Sequence, residues 1–256
     1  MTPLLILTGA SRGIGRAIAE RALGRGFAVG ALARTAADLE SLAALAPDRV
    51  QVAVADVRDQ SAVAAGAEAA IARFGAPKLV VAAAGTLGPV DRPWLLPGDA
   101  LAEALAVTVA GTANLAAATV PAMLAAGGGT FVAVSASSGT RVFPGWAAYG
   151  AAKAGLDAYI RYLSEEAGDA LTAFSFVPGL TDTAMQAGLR ELDAERFPQV
   201  EQFRRWHERG VSKQPAVVAE ALELALALPR DELHGTVVEA DALLKAQAQA
   251  ARRDEA

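Results

Sequence analysis

Seven short runs of apolar, β-favouring residues recur along this chain: Leu4 to Leu7, Phe27 to Arg34, Val50 to Ala55, Leu79 to Ala83, Thr130 to Ser135, Leu171 to Val177 and Thr236 to Glu239. Between them lie longer Ala-, Leu-, Glu- and Arg-rich stretches with 3.6-residue spacing. These include Arg16 to Arg25, Ala36 to Leu45, Gln60 to Phe74, Leu101 to Leu124, Ala148 to Ala167 and Ala216 to Leu226. Strand and helix in alternation specify βαβ units. Runs that are apolar at nearly every position, rather than at every second one, need cover on both faces, and a parallel sheet between two helix layers provides it. The expected fold is α/β, a doubly wound parallel sheet of about seven strands with helices on both faces, its ligand at the strand C-terminal ends.

The first strand leads straight into Thr8-Gly9-Ala10-Ser11-Arg12-Gly13-Ile14-Gly15, and a helix pattern starts near Arg16. Gly9, Gly13 and Gly15 let the chain turn tightly, approach a pyrophosphate without a Cβ in the way, and enter a helix whose first amides face the anion. At 256 residues one core can serve the whole chain, so a single domain over residues 1–256 is expected. Residues 179–215 break the rhythm: they are polar, rich in Arg and Glu, and carry Phe197, Phe203 and Trp206. A loop or helical flap over the site fits them.

Composition narrows the function classes. The 53% of apolar residues fall in runs that read as too short for a membrane span of about 20 residues. The first strand begins so close to Met1 that a charged region, an apolar core and a cleavage site do not fit before it, and a cytoplasmic location is expected. With no cysteine and only His207 and His234, neither disulfides nor a metal site are expected. A net charge of −5 argues against a nucleic-acid partner. The ligand should be a small molecule.

Tyr149 and Lys153 stand four residues apart at the start of a strong helix pattern, so they share one helical face. A cation beside a phenol favours phenolate and lowers a pKa otherwise near ~10, which lets the pair donate and recover a proton near neutrality. Such a pair suits carbonyl reduction.

Five motifs together resemble the short-chain dehydrogenase/reductase family along nearly the whole chain. They are T-G-A-S-R-G-I-G at 8–15, Asp56-Val57, A-A-G ending at Gly85, Y-G-A-A-K at 149–153 and P-G-L-T-D-T at 178–183. Within the family, F-P-G-W-A-A-Y at 143–149, A-A-G-T-L-G at 83–88 and T-D-T-A-M-Q at 181–186 are most similar to sepiapterin reductases and bacterial benzil reductases. The resemblance implies a Rossmann-type NAD(P)-binding domain with Tyr149 as proton donor and Lys153 on the nicotinamide ribose, tuning the tyrosine. It implies cofactor contacts from Gly9, Ser11, Arg12, Gly13, Ile14, Gly15, Val57, Ala84, Gly85, Pro178, Gly179 and Thr181. Asp56 would sit by the adenine and Thr183 by the nicotinamide carboxamide. A homodimer or homotetramer is implied as well, with helices 101–124 and 148–167 packed across a two-fold axis.

Cofactor choice has a physical reading. NAD enzymes of this fold place a carboxylate at the end of the second strand, but Ala31-Leu32-Ala33-Arg34-Thr35 offers none. Arg34 and Arg12 supply positive charge for a 2′-phosphate instead, which favours NADPH (NADP⁺). The expected activity is NADPH-dependent reduction of a ketone or 1,2-diketone.

Two departures from the family pattern support an alternative, a weakly catalytic or non-catalytic NADP(H)-binding sensor or scaffold. The serine expected 13 residues before Tyr149 is Ala136. Of its neighbours Ser135, Ser137 and Ser138, Ser137 is the candidate replacement, provided that a bulge or strand end breaks the alternation there. The family's helix asparagine is Thr108. Apart from these two, N-N-A-G has become Ala82-Ala83-Ala84-Gly85, which bears on strand support. One lost hydrogen bond to a developing oxyanion costs ~10²- to 10³-fold in rate. For substrate, Trp146 and Phe143 suit a flat carbonyl compound, and Glu239 aligns with the aspartate by which sepiapterin reductases hold a pterin. His207 and His234 read as surface residues without a partner, and the tail from Gln247 to Ala256 as frayed chain.

Overall fold

The strands of the computed structural model, which describes residues 2–254, are β1 (Leu4–Thr8), β2 (Ala28–Ala33), β3 (Val50–Val54), β4 (Pro77–Ala82), β5 (Gly129–Val134), β6 (Leu171–Val177) and β7 (Val237–Glu239). All pair in parallel, in the order β3-β2-β1-β4-β5-β6-β7. The expected Rossmann-type doubly wound sheet is thus observed, with each strand within about two residues of the apolar run that specified it.

The helices are α1 (Gly13–Gly24), α2 (Ala36–Ala43), α3 (Gln60–Phe74), α4 (Gly98–Leu105), α5 (Gly111–Ala125), α6 (Ala147–Ala167), α7 (Ala184–Arg190), α8 (Val200–Glu208), α9 (Pro215–Leu226), α10 (Arg230–Leu233) and α11 (Ala240–Asp254). Every residue of β1 and β2 is buried. Leu5 and Leu7 of β1 join the core under α1, α2 and α9, while Leu4 and Ile6 join the core under α3, α5 and α6. The period-2 alternation of a strand divides its side chains between the two layers. Close fit also requires glycine: a Cβ on Gly30 of β2 would lie 2.7 Å from Cβ of Ala70 on α3.

Two expectations are corrected here. The chain does contain a stretch long and apolar enough to cross a membrane: Gly98–Ala125 runs as one helix, and 33% of its most apolar window is buried. No charged residue lies between Glu103 and Arg141, a continuity hidden when Gly111 and Pro121 are taken as breaks. In the fold this helix packs against α3 and α6. The tail is also not frayed over its described part: α11 runs to Asp254, with Leu243 and Leu244 anchoring its first turns on the core and residues 245–253 exposed. Residues 255 and 256 lie outside the described residues.

The strand order reverses between β1 and β4, which opens a crevice at their C-terminal ends, the position at which open α/β sheets take their ligands.

Candidate active site

The loops leaving β1, β2, β3, β4, β5 and β6 at that edge carry Gly9 to Gly15, Arg34, Asp56 with Val57, Ala84 with Gly85, Ser137, and Pro178 to Thr183 respectively. Gly9 adopts φ +71°, and a Cβ there would lie 2.8 Å from the Ala84 amide nitrogen, so the glycine loop lies directly against the end of β4. Gly13, at φ +57°, leaves room up to Thr183 Cγ2, 3.5 Å from where its Cβ would be. A Cβ on Gly15 would lie only 2.2 Å from the Gly9 carbonyl oxygen. The first turn of α1 holds no acid, and its N-cap, Arg12, makes no side-chain cap bond. Free amides, a positive helix end and a floor without Cβ atoms together fit the pyrophosphate of a dinucleotide.

Around this cradle, Arg12 and Arg34 are exposed. Asp56 is gripped by Arg58 at 2.7 Å, and that guanidinium, with the charge of Arg34, brings its carboxyl down to about 2. Arg58 also meets Glu103 at 2.8 Å. Asn114 on α5 donates to the Val57 carbonyl at 2.8 Å and fixes that loop.

Across the crevice, the N-terminal half of α6 presents Tyr149 and Lys153. The Lys153 ammonium lies 5.6 Å from the Tyr149 ring centroid and donates at 2.6 Å to the carbonyl of Val134, the last residue of β5. A Cβ on Gly85 would be 3.6 Å from the same ammonium, so the end of β4 faces it. Burial pushes the Tyr149 phenol up to about 12. It draws Lys153 down to about 8, against the opposing pull of Asp157 one turn on. The expected lowering of the phenol by the lysine is therefore not found. Both groups are desolvated, and the ammonium's short bond goes to a carbonyl rather than to the phenol oxygen. A phenol that keeps its proton is the form that can act as an acid.

The two departures also have a location. β5 ends at Val134, and Ser137–Gly139 forms a single 3₁₀ turn, so the strand end that Ser137 requires is present. Ser137 is partly exposed, while Ser135 and Ser138 are buried with hydroxyls that lack a protein partner. Thr108 lies in a π-helical segment, Ala106–Ala110, between α4 and α5. Its hydroxyl is buried and unpartnered, and its carbonyl accepts from Thr112 Oγ1 at 2.7 Å. Such π segments are frequent at functional sites.

Trp146 caps α6 and is buried between Phe143 and Phe197, with ring centroids 5.0 and 5.8 Å away, and it meets Tyr149 edge-on at 5.5 Å. The flap contains α7 and α8, whose Phe203 closes this aromatic cluster. Glu239 is not brought into the site; it stands exposed at the end of edge strand β7. Spacing along a β-run gave no sign of which acid turns inward. Asp241, two residues on, pairs with Lys213 over Gly179, where a Cβ would lie 2.6 Å from its Oδ2. The histidines are also not isolated. His207 and Arg190 both approach Asp182 at 3.7 Å, and His234 accepts the Ala173 amide at 3.4 Å.

A dinucleotide cradle at the switch point, faced by a Tyr–Lys helix, defines a nucleotide-dependent oxidoreductase. Residues 4–194 match the family described as short chain dehydrogenase. Benzil reductase ((S)-benzoin forming) of Bacillus subtilis is 30% identical over 232 residues, which is 86% of this chain and 91% of that protein. The 2-(R)-hydroxypropyl-CoM dehydrogenase of Xanthobacter autotrophicus is 33% identical over 214 residues, 78% of this chain and 86% of that protein. A solved short chain dehydrogenase/reductase of Saccharomyces cerevisiae superposes with a TM-score of 0.86 at 28% identity, covering 94% of this chain and 98% of that one. The chain belongs to the short-chain dehydrogenase/reductase family, whose members are oxidoreductases that bind NAD(P)(H).

Proposed function

We propose that this protein is an NADPH-dependent reductase of ketones or 1,2-diketones, working in the cytoplasm as a homodimer or homotetramer. The observation that carries the reading is a proton-retaining phenol and a buried ammonium on one face of α6, opposite a pyrophosphate cradle. When bound, the reduced nicotinamide supplies the hydride to the carbonyl carbon. Tyr149 gives its phenolic proton to the carbonyl oxygen, leaving an alcohol and a phenolate that the charge of Lys153 stabilises. Lys153 would also hold the ribose, Ser137 would support the developing oxyanion, Thr183 would meet the carboxamide, and Asp56 would take the adenine side. Ser11, Ile14, Val57, Ala84, Pro178 and Thr181 would line the cofactor, and Trp146 would offer the substrate a flat wall. The benzil reductase relative supports the diketone class.

The test is NADPH oxidation with benzil, other 1,2-diketones and sepiapterin, with NADH in parallel. Turnover on diketones with NADPH preferred is the expected result; turnover on no carbonyl compound rejects the reading. If Arg34 holds a 2′-phosphate, Arg34→Asp lowers kcat/KM for NADPH by about 10- to 100-fold, the worth of one charged hydrogen bond, and spares NADH. Equal losses with both cofactors would remove Arg34 from that role.

The pH dependence follows from the two site pKa values. Tyr149 stays protonated up to about 12 and Lys153 loses its charge at about 8, so kcat for reduction should be level below pH 8 and fall above it. Unfolding would not cause that fall. The folded lysine titrates below its ordinary 10.5, the unfolded state binds more protons between the two values, and stability rises with pH across that window. A limb titrating near pH ~6.5 would point to a histidine instead.

The sensor reading is favoured by the methyl group at Ala136 and the unpartnered hydroxyl of Thr108. It predicts tight NADPH binding without turnover on any of these compounds. Assembly is supported by apolar surface left open on two helices, with Leu124 40% and Tyr162 73% exposed; light scattering that gives the mass of one chain would refute it.

A further inference from the structure

Asp56 stands just past the end of β3, on the rim of the crevice, and its neighbours do more than neutralise it. Its Oδ1 accepts twice from Arg58, from the backbone amide at 2.9 Å and from Nε at 3.0 Å, and its Oδ2 accepts from Nη2 at 2.7 Å. A carboxylate has about four lone-pair sites. One residue therefore fills all but one of them, and the site left open is on Oδ2 of a side chain that stays 28% exposed.

Arg58 is itself held. Its Nη1 donates to both oxygens of Glu103 on α4, at 2.9 and 2.8 Å, so the planar guanidinium is forked at both ends and cannot swing from Asp56 without breaking a second pair. The backbone beneath is fixed as well. Asn114 donates to the Val57 carbonyl at 2.8 Å, the Asp59 amide donates to the Asp56 carbonyl at 3.0 Å, and a Cβ on Gly111 would lie 2.7 Å from Val57 Cγ2. Stability does not account for the arrangement: with Arg58 41% and Glu103 50% exposed, ion pairs of this kind add little to folding. What they fix is a direction. The same guanidinium keeps the carboxyl ionised at any working pH, so Asp56 accepts and never donates.

We propose that Arg58 and Glu103 are positioning residues for base selection. Through Asp56 they admit a purine whose 6-substituent donates a hydrogen bond, as the amino group of adenine does, and exclude one whose 6-substituent accepts, as the keto oxygen of hypoxanthine does. A keto oxygen brought to the open Oδ2 site sets two acceptors face to face, and the clamped carboxylate cannot turn to relieve it. The inference rests on the placement of the adenine beside Asp56 proposed above, and it needs no turnover.

The test is calorimetric titration of the full chain with NADP⁺ and with its deaminated analogue, identical except that hypoxanthine replaces adenine. NAD⁺ and its own deaminated form, run in parallel, make the comparison independent of the 2′-phosphate. The wild type should bind the adenine form about 10- to 100-fold more tightly, the worth of one hydrogen bond to a charged group. Arg58→Met keeps Asp56 but removes its clamp, and should bring the two affinities within about threefold of each other. A merely structural role, or the lost positive charge, would weaken both forms alike and leave the ratio unmoved. Arg58→Lys should not restore it, since an ammonium cannot fork two carboxylates. Glu103→Gln should lower the ratio by a smaller factor, and it decides the matter if Arg58→Met does not melt cooperatively. A wild-type ratio near one, an unchanged ratio in Arg58→Met or Glu103→Gln, or no binding of either base form would overturn the assignment. Failure of the reductase reading looks different: the dinucleotide binds, no carbonyl compound is reduced, and the base ratio stands.

Discussion

Tyr149→Phe is expected to lower kcat for carbonyl reduction by about 10²- to 10⁴-fold, the contribution of a positioned general acid, with little change in NADPH affinity or melting temperature. The phenylalanine ring keeps the edge-on contact with Trp146 at 5.5 Å and loses only the hydroxyl. The phenol oxygen makes no hydrogen bond to another side chain among the described residues, so its removal leaves no buried partner unsatisfied. Stopped-flow turnover with a diketone, alongside NADPH binding by fluorescence, separates chemistry from binding. Turnover within threefold of wild type would remove Tyr149 from the proton-transfer role. Under the sensor reading, the same variant would retain its biological activity, which makes this substitution the sharpest division between the two functions.

Gly15→Ala carries the second large effect. The new Cβ would lie 2.2 Å from the Gly9 carbonyl oxygen, and the obstacle is backbone on both sides, so no rotamer change relieves it. α1 has to move off β1, at the typical overpacking cost of about 1–3 kcal/mol. For a chain of this size, that lowers Tm by roughly 2–12 °C, at about 2–4 °C per kcal/mol. Cofactor affinity should fall further than stability, because the same movement spoils the anion-facing amides. Gly24→Ala is the control: a Cβ there meets nothing within 4 Å and the backbone is helical, so it should be neutral or stabilising by up to about 1 kcal/mol. If the two variants melt together, the glycine contact at the cradle is not tight.

The strands were legible because each is an apolar run long enough to be covered twice, and burial of every residue in β1 and β2 matches that requirement. The end of β5 was less legible. Whether Ser137 can serve depends on a 3₁₀ turn that begins there, and three serines around an alanine carry no sign of where a strand stops. The flap was recognised as a break in rhythm, but α7 and α8 were not resolved as separate helices, because their burial comes from the aromatic cluster rather than from the sheet. The C-terminal helix ends in surface-polar chain that reads like fraying. Only its first turns reach the core.

The sequence by itself determined the layer architecture, the nucleotide loop and the Tyr–Lys pair, because each rests on local periodicity or on residues within a turn of one another. Tertiary structure decided the electrostatics. Lys153 spends its hydrogen bond on the Val134 carbonyl, Tyr149 is raised by burial rather than lowered by a cation, and Asp241 rather than Glu239 turns toward Gly179. It also brought Glu103 of α4 to the Arg58 that grips Asp56. Desolvation and side-chain convergence depend on what distant parts of the chain bring together, and no spacing along the chain encodes them.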